Sequence, residues 1–334
     1  MEIRSDRKGK HEIYFRFPGF PLLLIKHFII LLEANPENKL QVIHMSNSFH
    51  KVGLILALLM TSLTAGAQTM EYKDIIYASP DGLDLGLDIF LPAGRTNAPL
   101  IVQVHGGAWR FGTKESSVPM EFVENGYALA SLDFRQSEQA AFPAMVHDIK
   151  AAIRFLRANA GKYGYDASKI AITGASSGAH LAQVVGVSNG HKALEGNLGD
   201  YTNTSSDIQA IISYFGASDL TTILSQSTPF GLSVREPALT LLLGALPDQN
   251  EVLARLASPA LLVDAGDPPL LLLHGDHDPQ MPINQSLQML GAYKDKGLDV
   301  TFDPVHGAVH GGPGFFDEEH LANALAFLAR TIGK

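Results

Sequence analysis

A β-like run that passes straight into a helical one through a turn of small residues leaves a chain few folds to choose from. Residues 169–180 read KIAITGASSGAH, and the apolar pattern continues as HLAQVVGV. The first half alternates in the way a strand does, and the second has helical spacing, with no linker between them. Such a strand–turn–helix is the repeating unit of a parallel sheet.

The rest of the chain follows the same plan. DIIYAS and LGLDIFLP form an expected opening hairpin with its turn at Asp81-Gly82. PLIVQV, YALASLDF, IQAIISYFG, PLLLLHG and DVTFDPV read as further strands. MVHDIKAAIRFLRANAGKYG, a stretch from about residue 284 to 296, and one from about 316 to 332 read as helices. The expected fold class is therefore α/β: a mostly parallel central sheet with helices on both faces. Between Ser218 and Pro259 the pattern loosens, and residues 218–259 are a candidate small lid.

The turn itself carries chemistry. In GASSGA only Ser176 has glycines two residues away on both sides, Gly174 and Gly178; at that spacing Ser177 has Ala175 and Ala179. A sharp strand-to-helix turn requires small neighbours, exposes the serine, and aims helix N-terminal amides at it. Ser176 is thus a candidate nucleophile. HGGAW, His105–Trp109, follows the strand PLIVQV, and glycines there let backbone amides point into a cleft where an oxyanion would form. The candidate donors are Gly106, Gly107, Ala108 and Ser177, with His105 holding the loop. Trp109, the only tryptophan, is either core or a substrate-binding wall.

Two later loops supply an acid and then a base, the chain order that a serine hydrolase on this architecture needs. They are HGDHDPQMP, with Asp276 and Asp278, and VHGAVHGG, with His306 and His310. A metal cluster drawn from His274, Asp276, His277, Asp278, His306 and His310 is not expected, because no His-x3-His helical pair accompanies it. Asp133 and Arg135 in LDFRQS read as a structural ion pair, with Asp148 as a further partner.

The chain has no cysteine, which excludes a disulfide scaffold and thiolate chemistry. Residues 68–334 hold 17 basic and 29 acidic groups, a net of −12 that would repel phosphate backbones, so no nucleic-acid partner is expected. Residues 45–67 have the tripartite form of a secretory signal: Lys51, an apolar core over 52–60, and Ala65-Gly66-Ala67 as a cleavage site. That core is too short to span a bilayer, so the mature chain is expected to lack stable membrane insertion and to be secreted or periplasmic. Residues 1–44 precede the signal where nothing is expected, and read as a mis-assigned N-terminal extension.

Together these elements resemble the α/β-hydrolase superfamily, in its esterase/lipase-like branch with feruloyl and acetyl-xylan esterases and hormone-sensitive-lipase relatives. The resemblance covers nearly all of residues 72–332. It implies an α/β-hydrolase catalytic domain over 68–334. It also implies the acid four residues after His274, hence Asp278, and the base in GAVHGG, hence His310. Ser177 and Ala179 depart from the branch's more usual alanine and glycine, and Val309 from a smaller residue. The implied function is a secreted serine carboxylic ester hydrolase, acting through an acyl-enzyme on a small-molecule or polysaccharide ester such as acetyl or feruloyl. No cofactor and no metal are implied. The alternatives are a small-substrate amidase or peptidase on the same triad, and a non-catalytic binding protein on a hydrolase scaffold.

Overall fold

The computed structural model describes residues 69–333 and, ahead of them, the backbone of four short strands. Glu2–Ser5 pairs antiparallel with His11–Tyr14, and Leu32–Ala34 with Leu40–Val42. The chain divides into two units, Met1–Gly66 and Ala67–Lys334. The signal expected over 45–67 lies outside the described residues, as does the extension over 1–44 apart from those four strands.

The larger unit is built on eight strands: β1 (Met70–Ala78), β2 (Leu85–Leu91), β3 (Ala98–Val104), β4 (Ala128–Leu132), β5 (Tyr165–Ala175), β6 (Ala210–Tyr214), β7 (Leu270–Gly275) and β8 (Val300–Val305). Their order in the sheet is β8-β7-β6-β5-β3-β4-β2-β1. β1 and β2 form the expected antiparallel hairpin, and β2 also runs antiparallel to β4. The other neighbours are parallel. The principal helices are α1 (Met120–Glu124), α2 (Ala144–Ala158), α3 (Ser177–Gly186), α4 (Pro229–Leu243), α5 (Glu251–Leu256), α6 (Asn284–Asp295) and α7 (Glu318–Thr331). None of the described helices is long and apolar enough to cross a membrane.

The sheet is covered on both faces, and the period of two along its strands shows it. Leu100, Val102, Ile211, Leu270 and Leu272 belong to one apolar cluster with Ile149 of α2 and Leu181 of α3. The intervening Ile101, Ile212, Leu271 and Leu273 belong to a second, with Phe122 of α1 and Leu328 of α7. Strands buried on both sides read as continuous apolar runs, which is how PLIVQV and PLLLLHG appear in sequence.

Chain order reverses between β3 and β5. From β3 the chain steps out to β4 on one side and returns to β5 on the other. Ligands of open α/β sheets bind outside the carboxyl ends of the strands at such a point. Val104 stands in register with Gly174, so the loop after β3 and the turn after β5 emerge side by side there.

Three details differ from expectation. The long helix over MVHDIKAAIRFLRANAGKYG breaks at Asn159, whose side-chain amide donates to the Phe155 carbonyl at 2.8 Å, and one more turn over Ala160–Tyr163 ends at left-handed Gly164. Residues 218–259 are not loosely packed: α4 and α5 bury Leu239, Leu242, Leu243 and Ala254 in the core beside the sheet. Pro237 inside α4 hid that helix in the sequence. Finally, Arg135 pairs with Asp148 through two nitrogens at 2.7 and 3.0 Å. Asp133 does not take part; its carboxylate accepts the Lys114 amide at 2.8 Å.

Candidate active site

Ser176 sits at φ 56°, ψ −122°, a conformation disfavoured for any residue with a Cβ. It is the N-cap of α3, and its carbonyl accepts the His180 amide at 3.0 Å. A capping serine ordinarily bonds its hydroxyl to the amides of its own helix. Here the side chain makes no cap bond. Instead Ser176 Oγ lies 2.9 Å from His310 Nε2, and the Ser176 amide is fixed by the Tyr214 carbonyl of β6 at 2.9 Å.

The glycines explain how so sharp a turn fits. A Cβ on Gly174 would stand 2.5 Å from the Gly178 carbonyl carbon, and one on Gly178 would stand 2.2 Å from the Val104 carbonyl oxygen. The turn is thus pressed both on itself and on the end of β3.

His310 Nδ1 donates to Asp278 Oδ2 at 2.7 Å, which leaves Nε2 as an acceptor facing the serine hydroxyl. The Asp278 side chain is buried, and its Oδ1 accepts the amides of Gln280 and Met281, both at 2.8 Å. Burial alone would raise this carboxyl. The nearby His274 ring, the His310 hydrogen bond and the Met281 amide outweigh it, and Asp278 is held well below the usual carboxylate range. Asp276 is engaged elsewhere. It accepts His306 Nδ1 at 2.9 Å and the Gly307 amide at 2.7 Å, and so pins the start of the loop that carries His310. Gly275 stands in register with Val305, which is why these two loops meet.

Of the candidate oxyanion donors, Gly107 (φ 120°) and Ala108 (φ 53°) are both left-handed. A Cβ on Gly107 would stand 2.1 Å from the Phe111 carbonyl oxygen, so only glycine fits. Among the described hydrogen bonds, the amides of Gly106, Gly107, Ala108 and Ser177 have no acceptor. Gly106 lies against the elbow, where an added Cβ would be 2.8 Å from the Ala175 carbonyl oxygen. His105 is the expected loop support: its ring stacks on Phe134 at 4.4 Å and Nδ1 bonds the Gly106 carbonyl at 2.8 Å.

Trp109 resolves toward the core reading rather than the substrate-binding one. It is 3% exposed, packed in the apolar cluster of the first sheet face, and its indole N–H donates to His180 Nδ1 at 3.0 Å.

Two supporting residues were given no role in the site from the sequence. Phe215, directly after β6, packs edge-on against the His310 ring at 4.8 Å. His274 is fully buried, bonded through Nδ1 to Ser286 at 2.7 Å and through Nε2 to the Met281 carbonyl at 3.0 Å, with Asp278 Oδ2 at 3.6 Å. An aromatic just past a central strand, and a histidine in the last turn of a strand before an acid, are the signals that pointed to them. Among the described residues, no group of three or more His, Asp or Glu is arranged to hold a metal.

With this geometry in hand, comparison with known proteins is direct. The BD-FAE family model matches residues 87–292. The chain belongs to the BD-FAE family. It is accordingly an esterase/lipase-like α/β-hydrolase, with the eight-stranded sheet described above. Among curated relatives, esterase LipQ of Mycobacterium tuberculosis is 34% identical over 249 residues, covering 72% of this chain and 57% of LipQ. The chain thus spans little more than half the length of that relative. Among solved structures, a truncated carbohydrate esterase from gut microbiota is 33% identical with a TM-score of 0.72, over 80% of this chain and 98% of that one. Esterase Est2 of Thermogutta terrifontis, in a butyrate-bound form, is 27% identical with a TM-score of 0.63, over 80% and 94%.

Proposed function

We propose that this BD-FAE chain is an exported serine esterase that hydrolyses carboxylic esters of short acyl groups through an acyl-enzyme. The observation that carries the reading is the continuous relay from Ser176 Oγ through His310 to Asp278, at 2.9 and 2.7 Å. It lies beside amides with no acceptor of their own.

In this reading Ser176 Oγ attacks the ester carbonyl carbon while His310 Nε2 takes its proton. Asp278 keeps the imidazole in the Nδ1–H tautomer and stabilises the imidazolium without itself accepting the proton. Its lowered pKa suits that role, since the carboxyl stays ionised around neutral pH. The carbonyl oxygen becomes an oxyanion and is met by the amides of Gly107, Ala108 and Ser177, with Gly106 closing the loop. Each such donor is worth about 10²–10³ in rate, because it is already aimed where the charge develops. The C–O bond then breaks, and His310 returns its proton to the departing alcohol oxygen. Water, deprotonated by the same imidazole, attacks the acyl carbon; the bond to Ser176 Oγ breaks, His310 returns the proton to that oxygen, and the acid leaves.

The substrate class draws on the relatives. A carbohydrate esterase at 33% identity favours an ester carried by a polysaccharide or its fragments. Butyrate in the Est2 structure favours a short acyl chain. Export rests on the leader pattern over residues 45–67, with cleavage near Ala67; the intact mass of the protein recovered outside the cytoplasm tests it. The enzymatic reading is tested by assaying the wild type and Ser176→Ala on p-nitrophenyl acetate and butyrate, then on acetylated xylan and methyl ferulate. Hydrolysis by the wild type and a loss of at least ~10³-fold in the variant is expected. Equal rates from two folded proteins on every ester would end the reading.

A further inference from the structure

The loop that offers the oxyanion amides is held in an unfavourable shape. Gly107, Ala108 and Trp109 follow one another at φ 120°, 53° and 60°. Each residue with a Cβ is strained there and persists only when its surroundings hold it. Two local ties hold the backbone. The Gly107 carbonyl accepts the amides of Arg110 and Phe111 at 3.0 and 2.9 Å, and the Trp109 carbonyl accepts the Ser137 amide at 2.8 Å and hydroxyl at 3.1 Å. Neither refers the loop to the nucleophile.

One contact does. The Trp109 indole N–H donates to His180 Nδ1 at 3.0 Å, with the rings edge-on at 5.2 Å. Among the described residues it is the only hydrogen bond between residues 105–112 and α3. His180 lies one turn beyond Ser176, and its own amide bonds the Ser176 carbonyl at 3.0 Å. Its second ring nitrogen, Nε2, bonds the Ala257 carbonyl at 2.7 Å. A carbonyl only accepts, so Nε2 carries the proton and Nδ1 is left with the lone pair that the indole requires. Both ring nitrogens are used, and the fully buried ring has one orientation.

We propose that His180 is a positioning residue for the oxyanion loop: through Trp109 it sets Gly107 and Ala108 in register with the amide of Ser177, and it is itself oriented by Ala257 at the end of the 218–259 insertion. The proposal rests on the serine esterase reading for its catalytic consequence, though the link itself does not. Burial pushes the His180 imidazole down to about 4, so it is neutral, as the two hydrogen bonds demand, wherever a serine–histidine pair can work.

The test uses the full chain, in which Trp109 is the sole tryptophan and therefore the sole indole fluorophore. Trp109→Phe keeps a ring in place and removes the donor together with part of the indole volume. His180→Leu removes the acceptor, and His180→Gln keeps both an acceptor and a donor. On p-nitrophenyl acetate, Trp109→Phe and His180→Leu should each lower kcat at least about tenfold with KM within about twofold, as expected when transition-state stabilisation alone is lost. The double variant should be no worse than about twofold below the weaker single, and His180→Gln should recover most of kcat. Acrylamide quenching of Trp109 should rise about threefold in His180→Leu, because burial of the indole depends on the link. A folded Trp109→Phe with kcat within twofold of wild type, losses that multiply in the double variant, or unchanged quenching would each overturn the proposal. Should His180→Leu fail to fold, Trp109→Phe decides on kcat and His180→Ala takes its place in the quenching arm. If wild type and Ser176→Ala are alike inactive, the esterase reading fails, and the quenching arm alone decides the link.

Discussion

A Cβ on Gly174 would lie 2.5 Å from the carbonyl carbon of Gly178, and that single approach explains the spacing around Ser176. The strand enters and the helix leaves through the same space, and neither residue can carry a side chain. Gly178→Ala must push the Val104 carbonyl aside as well. Overpacking against backbone is costly, and each alanine is expected to destabilise the protein by about 2–3 kcal/mol or more and to abolish ester hydrolysis. Gly161→Ala is the control. It has open space around it in a helical turn, and should gain about 0.5–1 kcal/mol. Thermal unfolding of the three variants checks the contrast.

Asp276 and Asp278 each hold a histidine, and only one pair reaches the serine. Asp278→Asn should lower kcat on p-nitrophenyl acetate by about 10⁴, since the amide can favour the wrong His310 tautomer. Asp276→Asn loosens an exposed loop anchor. It should leave kcat within about tenfold of wild type, because mutation beside the chemistry costs far less than loss of a group that acts as a unit. Comparable losses from both would contradict the assignment of Asp278.

His180 also makes stability depend on pH. Its folded value, about 4, lies below the ordinary histidine value, so the unfolded chain binds the proton more readily. The contribution is therefore complete above about pH 6.5 and declines as pH falls toward the folded value. Between pH 7 and pH 5 the wild type should lose on the order of 2 kcal/mol more than His180→Gln, which has no titrating group there. Urea unfolding of both proteins at the two pH values measures the difference.

The Asp148 carboxylate is wholly buried and bonds the Arg135 guanidinium and amide, in the segment where Phe134 stacks on His105 and Ser137 holds the Trp109 carbonyl. Asp148→Ala leaves a half-buried cation without its partner and should cost about 3–5 kcal/mol. The melting temperature should fall accordingly.

The candidate triad was legible because each member sits in the first loop after a strand, and each strand announces itself as an apolar run. Ser176 could be named from its position, and the acid and base loops from chain order; family resemblance separated Asp278 from Asp276 and His310 from His306. What surrounds them depends on neighbours that chain order conceals. Phe215 reaches His310 because β6 lies between β5 and β7. Trp109 meets His180 because β3 lies beside β5, and in sequence the two residues are separated by 71 positions. Trp109 therefore remained open between core and pocket until the sheet order was known. The 218–259 insertion looked loose for another reason: Pro237 and scattered serines interrupt the pattern, although α4 is anchored by a Thr228 cap at 3.0 Å and by buried leucines.

The central claim is that Ser176, and not the adjacent Ser177, forms the covalent intermediate. Treating the full chain with diisopropyl fluorophosphate and mapping the labelled peptide by fragmentation mass spectrometry tests it most directly. A single phosphoryl adduct on Ser176, absent from Ser176→Ala and still present in Ser177→Ala, is the predicted result. An adduct on Ser177, or an adduct that survives in Ser176→Ala, would contradict it.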